Sequence, residues 1–137
     1  MKRSARMVAV AVIATMMLLL GATAAWAGSP HFVGAVTKAT DGNTLTVSGK
    51  EAGLGGEAQI HIVVTATASC VNPGEHHPKA ANKTSVTAQG TFPVQNGKAD
   101  FSLTATATFK PDCSPPQTVR FSNISVVDTT NGIKLYP

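Results

Sequence analysis

Hydrophobic and polar residues alternate with a period of two along most of the chain beyond residue 28. In residues 58–70 the even positions are apolar and the odd positions are polar, with Val63 as the one exception. Residues 99–109 repeat the alternation, with the apolar side chains on the odd positions. Because successive side chains of a strand point to opposite faces, the pattern predicts two strands that each turn one face to a core.

Weaker patterns predict five further strands, separated by pairs of residues that favour tight turns. Asp41-Gly42, Asn96-Gly97 and Asn131-Gly132 are such pairs. The seven predicted strands cover residues 31–37, 44–48, 58–70, 84–94, 99–109, 118–127 and 133–136. In the sixth strand the inward phase slips by one near Ser122-Asn123, which predicts a β-bulge. The pattern is typical of an all-β fold, an immunoglobulin-like antiparallel β-sandwich of about seven strands.

The first 27 residues have the three-part order of a secretory signal peptide. Lys2, Arg3 and Arg6 precede an uncharged apolar run over residues 7–20, and Ala25 and Ala27 supply the small residues that a signal peptidase reads. We therefore expect cleavage after Ala27, a single secreted domain over residues 28–137 and an extracellular location. A retained membrane anchor is the alternative, although the apolar run is shorter than the ~20 residues of a spanning helix.

Charge argues against a nucleic-acid partner once the leader is set aside. The 137 residues carry 11 Lys and Arg and seven Asp and Glu, for a formal net charge of +4. Three of those cations belong to the leader, so the predicted mature chain has a net charge of +1. Its lysines are scattered without interleaved aromatic residues, which predicts neither nucleic-acid binding nor membrane contact after cleavage. We expect a monomer.

The chain has two cysteines, Cys70 and Cys113. In an oxidising compartment such a pair usually forms a bond, so the sequence predicts a structural disulfide. A reactive thiol and a thiolate metal ligand are the alternatives.

One loop holds the only group of neighbouring residues of metal-ligand type. Glu75, His76 and His77 lie in the irregular segment 71–81, and imidazole with carboxylate suits zinc, copper or nickel. Adjacent histidines rarely point the same way, and the spacing supplies no further ligand. The prediction is therefore a polar loop available for binding, with no metal and no cofactor. A weak metal site that recruits His31 or His61 is the alternative.

Catalytic signatures are missing from the sequence. No G-x-S-x-G turn is present, and no carboxylates are paired by spacing in the manner of a hydrolase. We expect the protein not to be an enzyme.

Several stretches resemble known secreted proteins. Residues 29–33, 50–55, 68–72 and 126–132 resemble a family of small secreted actinobacterial proteins of uncharacterised activity. That resemblance implies a bacterial source and export, and it implies no activity. Residues 53–54, 70–73 and 96–104 are similar in layout to the neocarzinostatin-type apoproteins, which are secreted immunoglobulin-like sandwiches that carry a chromophore in a cleft. Those proteins have two disulfides where this chain has one cysteine pair, so no binding residue is transferred.

Together these patterns predict a secreted, non-catalytic binding or structural module of the cell envelope or extracellular space. Its partner would be an extracellular or cell-surface molecule that meets the loops over residues 71–81 and 110–117, because rigid scaffolds present recognition on loops. The alternatives are a small-ligand carrier of the neocarzinostatin type and a secreted enzyme inhibitor that presents the proline-rich loop around Cys113.

Overall fold

The computed structural model describes residues 28–74 and 82–137, and it confirms the all-β fold. The seven strands are β1 (His31–Asp41), β2 (Thr44–Ala52), β3 (Gln59–Val71), β4 (Lys83–Pro93), β5 (Ala99–Thr106), β6 (Thr118–Asp128) and β7 (Ile133–Leu135). No α-helix occurs within the described ranges, and accordingly no helix there is long and apolar enough to cross a membrane. The predicted signal peptide, residues 1–27, lies outside the described residues.

The strands form two antiparallel sheets that pack as a β-sandwich. One sheet has the order β1-β2-β5 and the other has the order β4-β3-β6-β7. The antiparallel order brings two groups of connections to opposite ends of the sandwich. The β1–β2 turn, the end of β5 and the start of β6 share one end, and the end of β2, the start of β3 and the β6–β7 turn share the other.

Inward side chains of both sheets form one apolar core. Its largest fully buried apolar members are Leu45, Val47, Ile60, Ile62, Val64 and Val126. Phe101 adds an aromatic contact, with its ring centroid 6.0 Å from that of Phe32 in an edge-to-face arrangement. Complete burial of each large aliphatic side chain contributes about 1.5–3 kcal/mol relative to exposure, so this core supplies the main stabilisation of the sandwich.

The predicted alternation is confirmed along the two strongest strands, with different bounds. Ala58 is exposed and precedes β3, which begins at Gln59. At its other limit β5 ends at Thr106, although Ala107 and Phe109 keep the inward phase and stay buried. Inward burial therefore continues past the last ladder hydrogen bonds of β5.

A bulge and a turn that the sequence predicts are both present. In the pairing of β6 with β3, Ser122 lies opposite Thr67 and Ser125 lies opposite Thr65, so two residues of β6 oppose one residue of β3. Asn123 within this bulge has a positive φ of 50°. In the β4–β5 connection Asn96 and Gly97 both have positive φ, as a two-residue hairpin turn of type I′ requires.

Candidate functional site

The cysteines form the predicted disulfide. Cys70 and Cys113 are bonded, with Cα atoms 5.7 Å apart. The bond connects the end of β3 to the segment between β5 and β6. Because a bonded cysteine is neither a reactive thiol nor a thiolate ligand, the two alternatives for this pair are wrong. Such a bond is typical of an oxidising compartment.

A cleft of about 580 Å³ opens beside this disulfide. We name this end of the sandwich the cleft end. The cleft lies between the β1–β2 turn and the segment that connects β5 to β6. Its lining residues are Thr40, Gly42, Asn43, Ala107, Thr108, Phe109, Asp112, Cys113, Pro115, Gln117, Thr118 and Val119. The volume falls within the range of roughly 300–1,000 Å³ that is usual for small-molecule sites.

Asn43 joins the β1–β2 turn, which forms one wall of the cleft, to the chain just beyond β5. Its backbone carbonyl accepts a hydrogen bond of 2.8 Å from the N–H of Ala107. Its side-chain Nδ2 donates a hydrogen bond of 3.0 Å to the carbonyl of the same residue. These two bonds hold the chain beyond β5 against the β1–β2 turn, so the position of this wall does not depend on a bound molecule.

Gln117 holds the other wall of the cleft, which is the segment just before β6. Its backbone N–H donates to the carbonyl of Ser114 at 3.0 Å, which closes a tight turn just before β6. Its side-chain Nε2 donates to Oδ1 of Asn72 at 2.8 Å, and its Oε1 lies 3.4 Å from Sγ of Cys70. The proline-rich segment around Cys113 is therefore tied to the end of β3 by one covalent bond and one amide hydrogen bond.

The chemistry of the lining is mixed. Phe109 and Val119 provide apolar surface, while threonine hydroxyls and the Asn43 and Gln117 amides provide hydrogen-bonding groups. Among the described residues that line the cleft, Asp112 is the only charged one, and it is exposed. A pocket with these groups suits a molecule with an apolar body and a few polar or cationic substituents.

The predicted binding residues Glu75, His76 and His77 lie outside the described residues. The described residues that flank them, Gly74 and Asn82, follow β3 and precede β4 at the cleft end. His31 and His61 lie near the starts of β1 and β3, at the opposite end, so the structure does not bring these two histidines toward the flanks of that loop. Across residues 28–74 and 82–137, no group of three His, Cys, Asp or Glu side chains is arranged to hold a metal ion.

The opposite end of the sandwich, which we name the acidic end, buries two carboxyl groups. Asp128 at the end of β6 is 0 % exposed. Its Oδ1 accepts hydrogen bonds from the backbone N–H groups of Thr130 and Asn131, at 2.8 and 3.3 Å. Its Oδ2 accepts a bond of 2.6 Å from Nδ2 of Asn131, which also donates to Oε2 of Glu57 at 3.1 Å. Both oxygens of Asp128 are therefore hydrogen-bonded.

Glu51 is the second buried carboxyl group and has no such donors. It is 0 % exposed, and neither of its oxygens makes a hydrogen bond of ordinary distance and angle. Burial raises the pKa of Glu51 to about 8, with further contributions from a side-chain hydrogen bond with Asp128 and from the charges of Asp128 and Glu57. Because a buried, unpaired carboxylate is very costly, Glu51 is neutral at pH 7 and can offer its proton to Asp128.

The sequence patterns did not identify this pair. They did not predict the cleft either, although four of its lining residues (Asp112, Cys113, Pro115 and Gln117) belong to the predicted binding loop over residues 110–117. Glu51 and Asp128 are 77 positions apart and meet only in the folded chain, so spacing along the sequence does not reveal them as a pair. A signal for them is nevertheless present, because Leu45, Val47 and Glu51 share one phase of β2, and Val126 and Asp128 share one phase of β6. Each carboxyl group lies at an inward position that follows apolar inward residues of the same strand. In the sequence, a polar residue at such a position looks like the end of the strand.

Comparison with protein-family models, with curated proteins and with solved structures found no match to this chain.

Proposed function

We propose that the protein is a secreted, non-catalytic binding module of the cell envelope or extracellular space that receives its partner at the cleft end. The single observation that carries this proposal is the cleft of about 580 Å³, whose two walls are fixed by hydrogen bonds and a disulfide. Rigid walls reduce the conformational entropy that is lost on binding, which favours recognition.

The topology supports an immunoglobulin-like assignment within the sandwich class. The strands β1, β2 and β5 correspond in order to A, B and E of a constant-type domain, and β3, β6 and β7 correspond to C, F and G. The fourth strand pairs with β3 instead of β5, so β4 lies in the sheet opposite to its constant-type position. Export is supported by the order of charged, apolar and small residues in positions 1–27 and by the disulfide.

A binding role without catalysis fits the placement of the carboxyl groups. Glu51 has the raised pKa that a general acid needs, yet both Glu51 and Asp128 are 0 % exposed. To act on a substrate, this pair would have to lie within hydrogen-bonding distance of it, and burial keeps a substrate away. The cleft is open to solvent, and among the described residues that line it Asp112 is the one carboxyl side chain.

A small-ligand carrier is the second candidate, and the cleft volume favours it. The space matches a drug-sized molecule rather than a protein loop, and Phe109 and Val119 offer apolar contact. The enzyme-inhibitor alternative rests on the exposed proline-rich segment around Pro115, which stands at the mouth of the same cleft.

Native mass spectrometry of the protein purified from its source organism tests the proposal. We expect a bound compound that is released on denaturation, or an envelope component that co-purifies with the protein. Thr108→Trp places a bulky ring at the exposed rim of the cleft and should reduce this binding at least tenfold. Thr87→Trp is the matched control, because Thr87 is an exposed position of β4 away from the cleft lining.

Two results would contradict the proposal. The first is wild-type protein that carries no compound and retains no envelope component. The second is undiminished binding by Thr108→Trp, which would remove the cleft as the site.

A further inference from the structure

Glu51 and Asp128 connect the two sheets at the acidic end. Glu51 belongs to β2 of the three-stranded sheet, and Asp128 belongs to β6 of the four-stranded sheet. Both carboxyl groups are excluded from solvent, and they face each other across the sandwich. Because the protein interior has a lower dielectric constant than water, the interaction between their charges is stronger there.

The two carboxyl groups are not equivalent. Asp128 accepts three N–H hydrogen bonds, from the backbones of Thr130 and Asn131 and from the Asn131 side chain, so both of its oxygens have donors. Glu51 has unpartnered oxygens and no donor. A proton on Glu51 removes its charge and supplies the O–H that can bond to Asp128.

Among the described residues, no basic side chain forms an ion pair with Glu51 or Asp128. The loop after β2 contributes Glu57, a third acid, and the turn after β6 contributes the uncharged Asn131. His31 of β1 bonds to the carbonyl of Ser29, and His61 of β3 bonds to Thr91. Lys50 of β2 pairs with Asp100 of β5, the one ion pair among the described residues.

We propose that the proton on Glu51, beside Asp128, is a latch that closes the acidic end of the sandwich, and that this end opens when the proton is lost. With the proton in place, the Glu51 carboxyl group donates a hydrogen bond to Asp128 between the sheets. Without it, two buried carboxylates repel each other beside Glu57, and the connections after β2 and β6 must separate to admit water.

The latch makes stability fall as pH rises. The folded chain holds the Glu51 proton up to a pH of about 8, whereas the ordinary pKa is 4.5. The folded state therefore binds more protons than the unfolded chain between these values, and stability decreases with pH throughout that interval. The contribution is complete below pH 4.5 and is lost above about pH 8.

Thermal unfolding between pH 4.5 and pH 9 tests the latch on protein from a host that exports it and forms its disulfide. We expect the wild-type midpoint to fall by roughly 10 °C across this range. Glu51→Gln keeps the shape of the side chain and cannot ionise, so its profile should lose most of this slope. Asp100→Asn removes an exposed carboxylate of β5 and should retain the wild-type slope.

A second measurement keeps the test decisive if Glu51→Gln fails to fold. The chain has only three glutamates, so carbon-13 NMR of their carboxyl groups can follow each titration in the wild-type protein. One glutamate should titrate near pH 8.

Three results would overturn the latch. They are a flat wild-type profile in this interval, a full slope in Glu51→Gln, and all three glutamates titrating below pH 6.

Discussion

The two ends of this sandwich are closed by different chemistry. At the cleft end a covalent bond between Cys70 and Cys113 ties the segment between β5 and β6 to the end of β3, and a cleft of about 580 Å³ lies beside this bond. At the acidic end two carboxyl groups without exposure fill the corresponding position. A disulfide fixes segments without requiring that they pack tightly, whereas a buried carboxyl pair requires complete exclusion of water. This difference supports the proposal that the cleft end is where the protein binds its partner.

The largest expected effect belongs to the covalent bond of the cleft end. Cys70→Ala with Cys113→Ala opens a connection of 43 residues, and loss of that constraint on the unfolded chain should cost about 4 kcal/mol of the free energy of unfolding. Alanine avoids leaving a hydroxyl at the buried position of Cys70. Urea unfolding measures the loss, with wild-type protein in reductant as the control that should match the double variant. A loss below about 1 kcal/mol would show that the disulfide does not govern the stability of this end.

A smaller effect separates the two ends through a matched pair of asparagines. Asn131→Ala removes the Nδ2 that bridges Asp128 and Glu57, and hydrogen bonds to charged groups are worth about 1.5–3 kcal/mol. We therefore expect a destabilisation of about 2 kcal/mol at pH 7. Asn43→Ala removes one hydrogen bond to a neutral backbone carbonyl from an exposed side chain, and it should cost at most about 1 kcal/mol. Denaturant unfolding of both variants measures the difference, and equal losses would mean that the acidic end gains nothing from burial of its charges.

The alternation of residue types predicts most of the fold because the buried faces are apolar. The inward phase of β3 and β5, the bulge at Asn123, the Asn96-Gly97 turn and the disulfide all follow from local signals. Each depends on neighbouring residues or, for the two cysteines, on there being a single possible pair.

Neither end of the sandwich follows from local signals of this kind. The sequence patterns end β2 at residue 48, although it continues to Ala52, because Gly49, Lys50 and Glu51 resemble a loop. The meeting of Glu51 with Asp128 depends on β2 and β6 facing each other from different sheets, which no spacing along the chain encodes. The cleft depends likewise on where the segment after Phe109 passes over the β1–β2 turn.

Hydrogen exchange at pH 5.5 and pH 8.5, corrected for the intrinsic rate at each pH, tests most directly whether the two ends are independent. The amides of Thr130 and Gly132 bond to Asp128 at the acidic end, and those of Ala107 and Gln117 bond at the cleft end. We predict that the acidic-end amides lose protection at least tenfold at pH 8.5, that the cleft-end amides keep theirs, and that Glu51→Gln abolishes the difference. Equal loss of protection at both ends, or none at the acidic end, would contradict this account.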